Sequence, residues 1–343
     1  MPRKSSKRFP SREELLAHVA SLYYEQGWNQ SRIAKALGFS RSMVSRLLSE
    51  ARQRKIVQIS IHWPIRTVKD LEDQLVATFG LRTARVLDVE NLPYPELLSR
   101  LGKLAALELV RYLRDGMTIA VTWGITLWEL VQALPPQVYP RLRVVQCLGA
   151  LGGTHPCDTP AIVRRLAETL GAQGYYLHAP LMVESEQTCQ QLLQERMIKE
   201  VLDLARQADL LLVGIGSTES EVSSLKRSGS LSEEDLAWLR RQGAVGYLCA
   251  RYLDLNGQPI PTPFDRRTIG LTLEEIRRIP CVFAVAGGTL KARAILAALR
   301  SGLINILVTD KGAAAEALRI HAADRREVVP RRARIVSSSP PDA

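Results

Sequence analysis

From residue 82 onward the chain repeats one pattern: a short run rich in Val, Leu and Ile that closes on glycine or a polar residue, then a helical stretch. The runs are ARVLDV (84–89), MTIAV (117–121), LRVVQCLG (142–149), YYLHA (175–179), DLLLVGIGS (209–217), CVFAVAGG (281–288) and INILVTD (304–310). Helices are expected between them over 95–113, after TWGIT (122–126) to 134, and over 160–170, 187–205, 231–242, 289–300 and 312–318. The segment 244–255 reads as extended, with a turn at 256–259. Strands this apolar have no face to offer to water, so helices must cover both sides of the sheet they form. The expected class is α/β, a doubly wound, mostly parallel, Rossmann-like sheet.

The N-terminal part has a different period. Ser11 starts a helix over 12–26 with Glu13 and Glu14 in its first turn, where the helix dipole favours acids, and Gly27 ends it. Asn29 starts a second helix with Ile33, Ala34 and Leu37 inward. Gly38 follows as a turn residue, where a positive φ is tolerated by glycine. Ser40 starts a third helix with Val44, Leu47 and Leu48 inward. Small Ala34 allows the two helices to cross closely, and Val44 and Leu47 anchor them. This is a helix-turn-helix, and the alternation over 55–61 reads as a wing strand. Left exposed are Gln30, Ser40, Arg41, Ser42, Ser45, Arg46, Ser49 and Arg52. Short hydroxyls and arginines near a helix N-terminus suit the major groove of double-stranded DNA, where Arg reads guanine.

Charge follows the same division. Residues 1–62 carry 12 Lys/Arg and 4 Asp/Glu, whereas 63–318 carry 28 of each. A basic head on a neutral body calls for a polyanionic partner at the head alone. The domain reading is a basic disordered arm (1–10), the winged helix-turn-helix (11–63), a linker or oligomerisation helix (64–81), the α/β domain (82–321) and a disordered tail (322–343). Five cysteines without a CxxC pair fit a reducing cytoplasm. With no signal-peptide h-region and no apolar run long enough for a membrane span, the expected location is cytoplasmic. His155 and His178 lack metal-ligand spacing, so neither a metal nor a cofactor is expected.

In an open α/β sheet, ligands bind beyond the carboxyl ends of the strands. The loops there are 122–126, 214–217, 286–291 and 309–312. Glycine-rich strand-to-helix turns expose backbone N–H groups suited to an anion. Lys291 offers a counter-charge, Thr126 and Ser217 offer hydroxyls, and Asp254 at a strand end offers an acceptor for sugar hydroxyls. The candidate set is Gly124, Thr126, Gly214, Gly216, Ser217, Asp254 and Lys291. Taken singly these residues have ordinary readings too: GIGS as a tight turn, Lys291 as a solvated helix lysine, Asp254 as turn chemistry before Asn256 and Gly257.

Several ordered blocks together resemble the SorC/DeoR-type bacterial transcriptional regulators: residues 23–61, VTWGITL (121–127), ADLLLVGIGS (208–217), YLDLNGQPI (252–260), and 267–288 with 290–318. The resemblance spans about 14–318. It implies a sugar-binding domain of the sugar-phosphate isomerase/deaminase type. It also implies a homo-oligomer, usually a tetramer, and operator binding controlled by a sugar or sugar phosphate. Effector contacts are implied on Gly124, Thr126, the 214–217 turn, Asp254 and Lys291. Two positions depart from the family. Ile125 stands where relatives often have Arg or Ser, and Tyr247 where they usually have Asp or Glu, so the polar lining differs.

Two alternatives remain at this level. A sugar-phosphate isomerase or deaminase fused to a DNA-binding head needs a carboxylate base near the substrate. Only Asp254 and Asp310 lie near suitable loops, with no His beside either, so no catalytic residue is assigned. An architectural DNA-binding protein whose α/β part only oligomerises would respond to no metabolite.

Overall fold

The computed structural model describes residues 11–57, 64–152 and 157–328, with side chains described to 324. The chain divides into two compact units between Pro64 and Ile65. The expected arm 1–10, most of the wing and the end of the tail lie outside the described residues. Within the wing segment, 55–57 are described and form a turn rather than a strand, with Lys55 at φ 58°.

The first unit holds α1 (Arg12–Tyr24), α2 (Gln30–Leu37) and α3 (Arg41–Gln53). Ser11, Asn29 and Ser40 each accept a backbone N–H of the first helical turn, which satisfies a donor that the helix leaves unpaired. Gly38 ends α2 at φ 73°, and a β-carbon added there would meet nothing within 4 Å. The glycine there serves conformation and not space. Leu16, Val19, Ile33, Val44, Leu47 and Ala51 are fully buried together, as the apolar spacing predicts.

The second unit runs α4 (Lys69–Phe79), β1 (Thr83–Leu87), α5 (Tyr94–Leu109), β2 (Thr118–Val121), α6 (Ile125–Ala133), β3 (Arg143–Gln146), α7 (Thr159–Leu170), β4 (Gln173–Tyr175), α8 (Glu186–Gln194), α9 (Arg196–Arg206), β5 (Leu210–Gly214), β6 (Gly216–Ser217), α10 (Ser224–Arg227), α11 (Glu233–Arg241), β7 (Gly246–Leu248), β8 (Arg251–Leu253), α12 (Leu273–Arg277), β9 (Val282–Val285), α13 (Ala292–Arg300), β10 (Ile306–Asp310) and α14 (Lys311–Val328). Seven strands form a parallel sheet in the order β1-β10-β9-β5-β2-β3-β4. Successive residues of its strands enter opposite cores. Leu211 and Val213 of β5 and Val282 and Ala284 of β9 pack on one side; Leu210, Leu212, Phe283 and Val285 pack on the other. Burial on both faces explains why these runs carry no polar alternation.

Several boundaries differ from the sequence expectation. The helix expected as a linker or oligomerisation helix belongs to the second unit: α4 packs on β1, with Leu75 and Glu72 buried. The Glu72 carboxylate accepts the Val86 N–H at 3.1 Å and lies 3.5 Å from Arg85. The segment before α4 adds a bridge from Thr67 to Leu87. Together they cover the edge strand β1, whose unpaired backbone groups would otherwise invite another chain. The single helix expected over 187–205 is two helices broken at Glu195 (ψ 128°). The strand expected over 175–179 lies earlier, at β4. The last helix continues to Val328, past the expected start of the tail at 322. Arg300 holds that extension through an ion pair to Asp324 at 2.9 Å and hydrogen bonds to His321.

Segment 244–255 is a hairpin of β7 and β8, antiparallel to β6. Its turn residues, Cys249 and Ala250, both have positive φ (50° and 58°). A two-residue hairpin needs that geometry, and Asn-Gly or Asp-Gly usually supplies it. Cys-Ala gives no such signal, so the hairpin was illegible in the sequence.

Candidate ligand cavity and nucleic-acid interface

The strand order sets the site. From β2 the chain steps outward to β3 and β4, while β5 lies on the other side of β2 next to β9. The crevice between β2 and β5 is therefore the switch point, where the loops part at the carboxyl ends of the strands. A small cavity of about 30 Å³ lies there, lined by the loop after β2, the turn after β5, α10, β7 and Lys291.

The N-terminus of α6 opens onto this cavity at Gly124, Ile125 and Thr126. Free first-turn N–H groups and the helix dipole favour negative charge there. The Gly124 N–H itself is engaged by the Cys157 carbonyl at 3.1 Å. Gly214 and Gly216 line the cavity, but the turn between them leads into β6 and not into a helix, contrary to the expected strand-to-helix turn. Lys291 is buried within a one-turn 3-10 helix, its Nζ donating to the Ile215 carbonyl at 2.9 Å. Burial and the nearby Arg227 charge bring its pKa down to about 8. It is thus a desolvated cation beside a second cation, not a solvated helix lysine.

Two expected contacts fall elsewhere. The Ser217 hydroxyl is buried and accepts the Glu219 N–H at 3.1 Å, a local turn bond. Asp254 accepts the Gln258 N–H at 2.8 Å in the turn that follows β8, away from the cavity lining. Turn chemistry claims that carboxylate. Asp310 is likewise engaged, accepting the Gly288 N–H at 2.6 Å and the Ala313 N–H at 3.1 Å. Asp254 lies outside the linings of both the cavity and the neighbouring cleft, whereas Asp310 borders that cleft.

Tyr94, Ser224, Arg227 and Cys249 line the cavity without having been expected. Arg227 lies in the serine-rich stretch SSLKRSGS, where no periodicity marks the short α10. Tyr94, at the start of α5, borders both this cavity and a neighbouring cleft of about 720 Å³ lined by Asn91, Leu92, Glu221 and Leu290. Among the described residues, no cluster of three or more His, Cys, Asp or Glu side chains is placed to hold a metal ion. No helix of the described residues is long and apolar enough to cross a membrane.

In the first unit, Arg41, Ser42, Ser45, Arg46 and Arg52 are exposed along α3, and Ser49 is half-buried. Gln30 is half-buried at the start of α2. Ser40 is exposed, with its oxygen engaged as the α3 cap and 2.9 Å from the Ser42 hydroxyl. Among the described residues Arg41, Arg46 and Arg52 form no ion pair. Arg54 and Arg12 instead both pair with Glu50, the first along α3 and the second across from α1.

Comparison with known proteins agrees with this architecture. The family described as "Putative sugar-binding domain" matches residues 64–319. A transcriptional regulator LsrR of Klebsiella pneumoniae is 34% identical over 306 residues, covering 87% of this chain and 91% of the relative. The chain belongs to the SorC/DeoR-type transcriptional regulators. The family described as "Sigma-70, region 4" matches 16–54, the helix-turn-helix part. The deoxyribonucleoside regulator of Bacillus subtilis is 29% identical, covering 88% of this chain and 96% of the relative. The crystal structure of the full-length sorbitol operon regulator SorC from Klebsiella pneumoniae superposes with a TM-score of 0.67 at 29% identity, covering 88% of this chain and 98% of that one. These relatives are regulators, which decides against the enzyme alternative. The chain is a DNA-binding transcriptional regulator with a helix-turn-helix and a sugar-binding domain.

Proposed function

We propose that a phosphorylated sugar bound at the β2/β5 crevice controls operator binding by α3, in a cytoplasmic homo-oligomer, as a tetramer. The observation that carries the effector reading is the placing of Lys291 and Arg227 together at a small cavity whose lining includes no Asp or Glu. Two cations and a helix N-terminus suit a phosphoryl group and give little to a neutral sugar. Gly124, Thr126, Gly214 and Gly216 shape this pocket; Ser217 holds the turn that follows Gly216, and Asp254 is assigned no ligand contact. Control follows by linkage: a ligand that prefers one quaternary arrangement changes the spacing of the recognition helices. Operator half-sites are expected about 10–10.5 bp apart or at a multiple of this.

The test is release or retention of a labelled operator fragment across a panel of sugars and their phosphate esters. Esters are expected to shift the operator affinity and free sugars to leave it unchanged; a shift by a free sugar alone overturns the anion reading. On the DNA side, Arg46→Ala is expected to lose about 1–3 kcal/mol of discrimination at one base position. An equal loss on random DNA would show that Arg46 holds only phosphate.

A further inference from the structure

Tyr247 faces Gly216 across the β6–β7 pairing and is almost completely buried. A β-carbon on Gly216 would lie 1.9 Å from Cε2 of the Tyr247 ring. The ring therefore fills the space that a side chain at position 216 would need. Its hydroxyl lies 2.8 Å from Ser224 Oγ and accepts the Leu225 N–H at 3.4 Å. Ser224 Oγ also accepts the Trp123 indole N–H at 3.2 Å. One buried hydroxyl pair thus ties β7, the loop after β2 and α10 together, beside the cavity lined by Lys291 and Arg227. The polar capacity of Tyr247 is used within the protein, and burial raises its phenol above the ordinary range, so it stays protonated.

The size of the cavity gives this arrangement a consequence. Its 30 Å³ is room for on the order of two waters, whereas small-molecule sites run to about 300–1,000 Å³. A phosphoryl group enters only if α10 yields slightly, and a sugar ring does not fit while Tyr247 keeps its place. We infer that Tyr247 is the specificity-determining residue of this cavity: its ring plugs the space beside Gly216 and its hydroxyl latches α10, so that the cavity takes a phosphoryl group and excludes the sugar body. This rests on the anion reading above. The carbon skeleton then lies beyond Tyr94, in the 720 Å³ cleft, where Asn91 and Glu221 offer acceptors for hydroxyls. In the natural protein the phosphoryl group supplies most of the affinity, and the identity of the sugar adds little.

The experiment is calorimetric titration of the full chain with inorganic phosphate, glucose 6-phosphate and ribose 5-phosphate, for wild type, Tyr247→Phe and Tyr247→Ser. Wild type is expected to bind all three within about tenfold of one another. Tyr247→Ser removes the plug and is expected to favour at least one ester over inorganic phosphate by a further tenfold or so. Tyr247→Phe keeps the ring but frees α10. Stopped-flow tryptophan emission, sensitive to Trp123, is then expected to show phosphate associating roughly tenfold faster. A wild type that already prefers an ester by about a hundredfold, or a Ser variant with an unchanged ratio, overturns the plug. An unchanged association rate in the Phe variant overturns the latch, and decides the matter if the Ser variant does not fold. Failure of wild type to bind any of the three phosphates overturns the anion reading itself, a result distinct from an unchanged ratio.

Discussion

Replacing Lys291 with methionine is expected to abolish the response to phosphate esters while leaving the protein folded and bound to its operator. The fold survives because two effects nearly cancel. A lysine held at about 8 instead of its ordinary 10.5 carries roughly 3 kcal/mol of desolvation and repulsion near neutral pH. Methionine removes that cost, but it also leaves the Ile215 carbonyl without its donor, a loss of about 1–3 kcal/mol. Thermal melts of the two proteins at pH 7 are therefore expected to be close. Calorimetric titration with a phosphate ester separates them, since only the wild type keeps the full cationic pair.

The dependence on pH has a definite sign. Between about 8 and 10.5 the unfolded chain holds the Lys291 proton and the folded chain does not, so stability contributed by this group rises with pH over that window. Ligand affinity moves the other way. The anion needs the protonated amine, so binding is expected to weaken by up to about tenfold per unit as pH rises above 8. Both slopes are expected to vanish in Lys291→Met. A variant that keeps the affinity slope would place the titrating group elsewhere in the cavity.

Lys291 also shows how far the sequence could be read. Its position after CVFAVAGG placed it at the end of a buried strand, and that followed from apolar runs closing on glycine. The parallel sheet, the two covered faces and the three capped helices of the head were legible for the same reason: period and caps are local properties. Its partner Arg227 was not, because α10 has one turn and no apolar stripe. Asp254 was ambiguous because a carboxylate at a strand end is equally the start of a turn, and one of its oxygens accepts the backbone N–H of Gln258. Helix α4 was ambiguous because an amphipathic stripe does not state its partner; the fold shows β1 beneath it. Residues whose partners lie far along the chain are marked by no local pattern at all.

Arg251 is the clearest such residue, and Arg251→Met is expected to be the most destabilising of these substitutions. The side chain is about 10% exposed and its guanidinium donates to four carbonyls: Leu271 at 3.2 Å, Asp265 at 2.7 Å, and Thr268 and Gly270 each at 3.2 Å. The Asp265 carboxylate stands 3.6 Å away. Methionine keeps much of the packing of the stem but leaves these acceptors without a donor. Losing one partner of a buried ionic network costs about 3–5 kcal/mol, on the order of 10 °C in Tm for a domain of this size. A loss under about 1 kcal/mol in urea titration would mean that water replaces the guanidinium, in the manner of exposed pairs. The effect reaches the cavity through connectivity. Arg251 begins β8, directly after the Cys249–Ala250 turn, and fastens that hairpin to the segment whose Gly270 and Thr268 bridge to Leu148 and Met182. The same hairpin carries Tyr247 and Cys249 into the cavity wall. A chain weakened at Arg251 is therefore expected to lose ligand-induced stabilisation along with its intrinsic stability, whereas Lys291→Met loses the first and keeps the second.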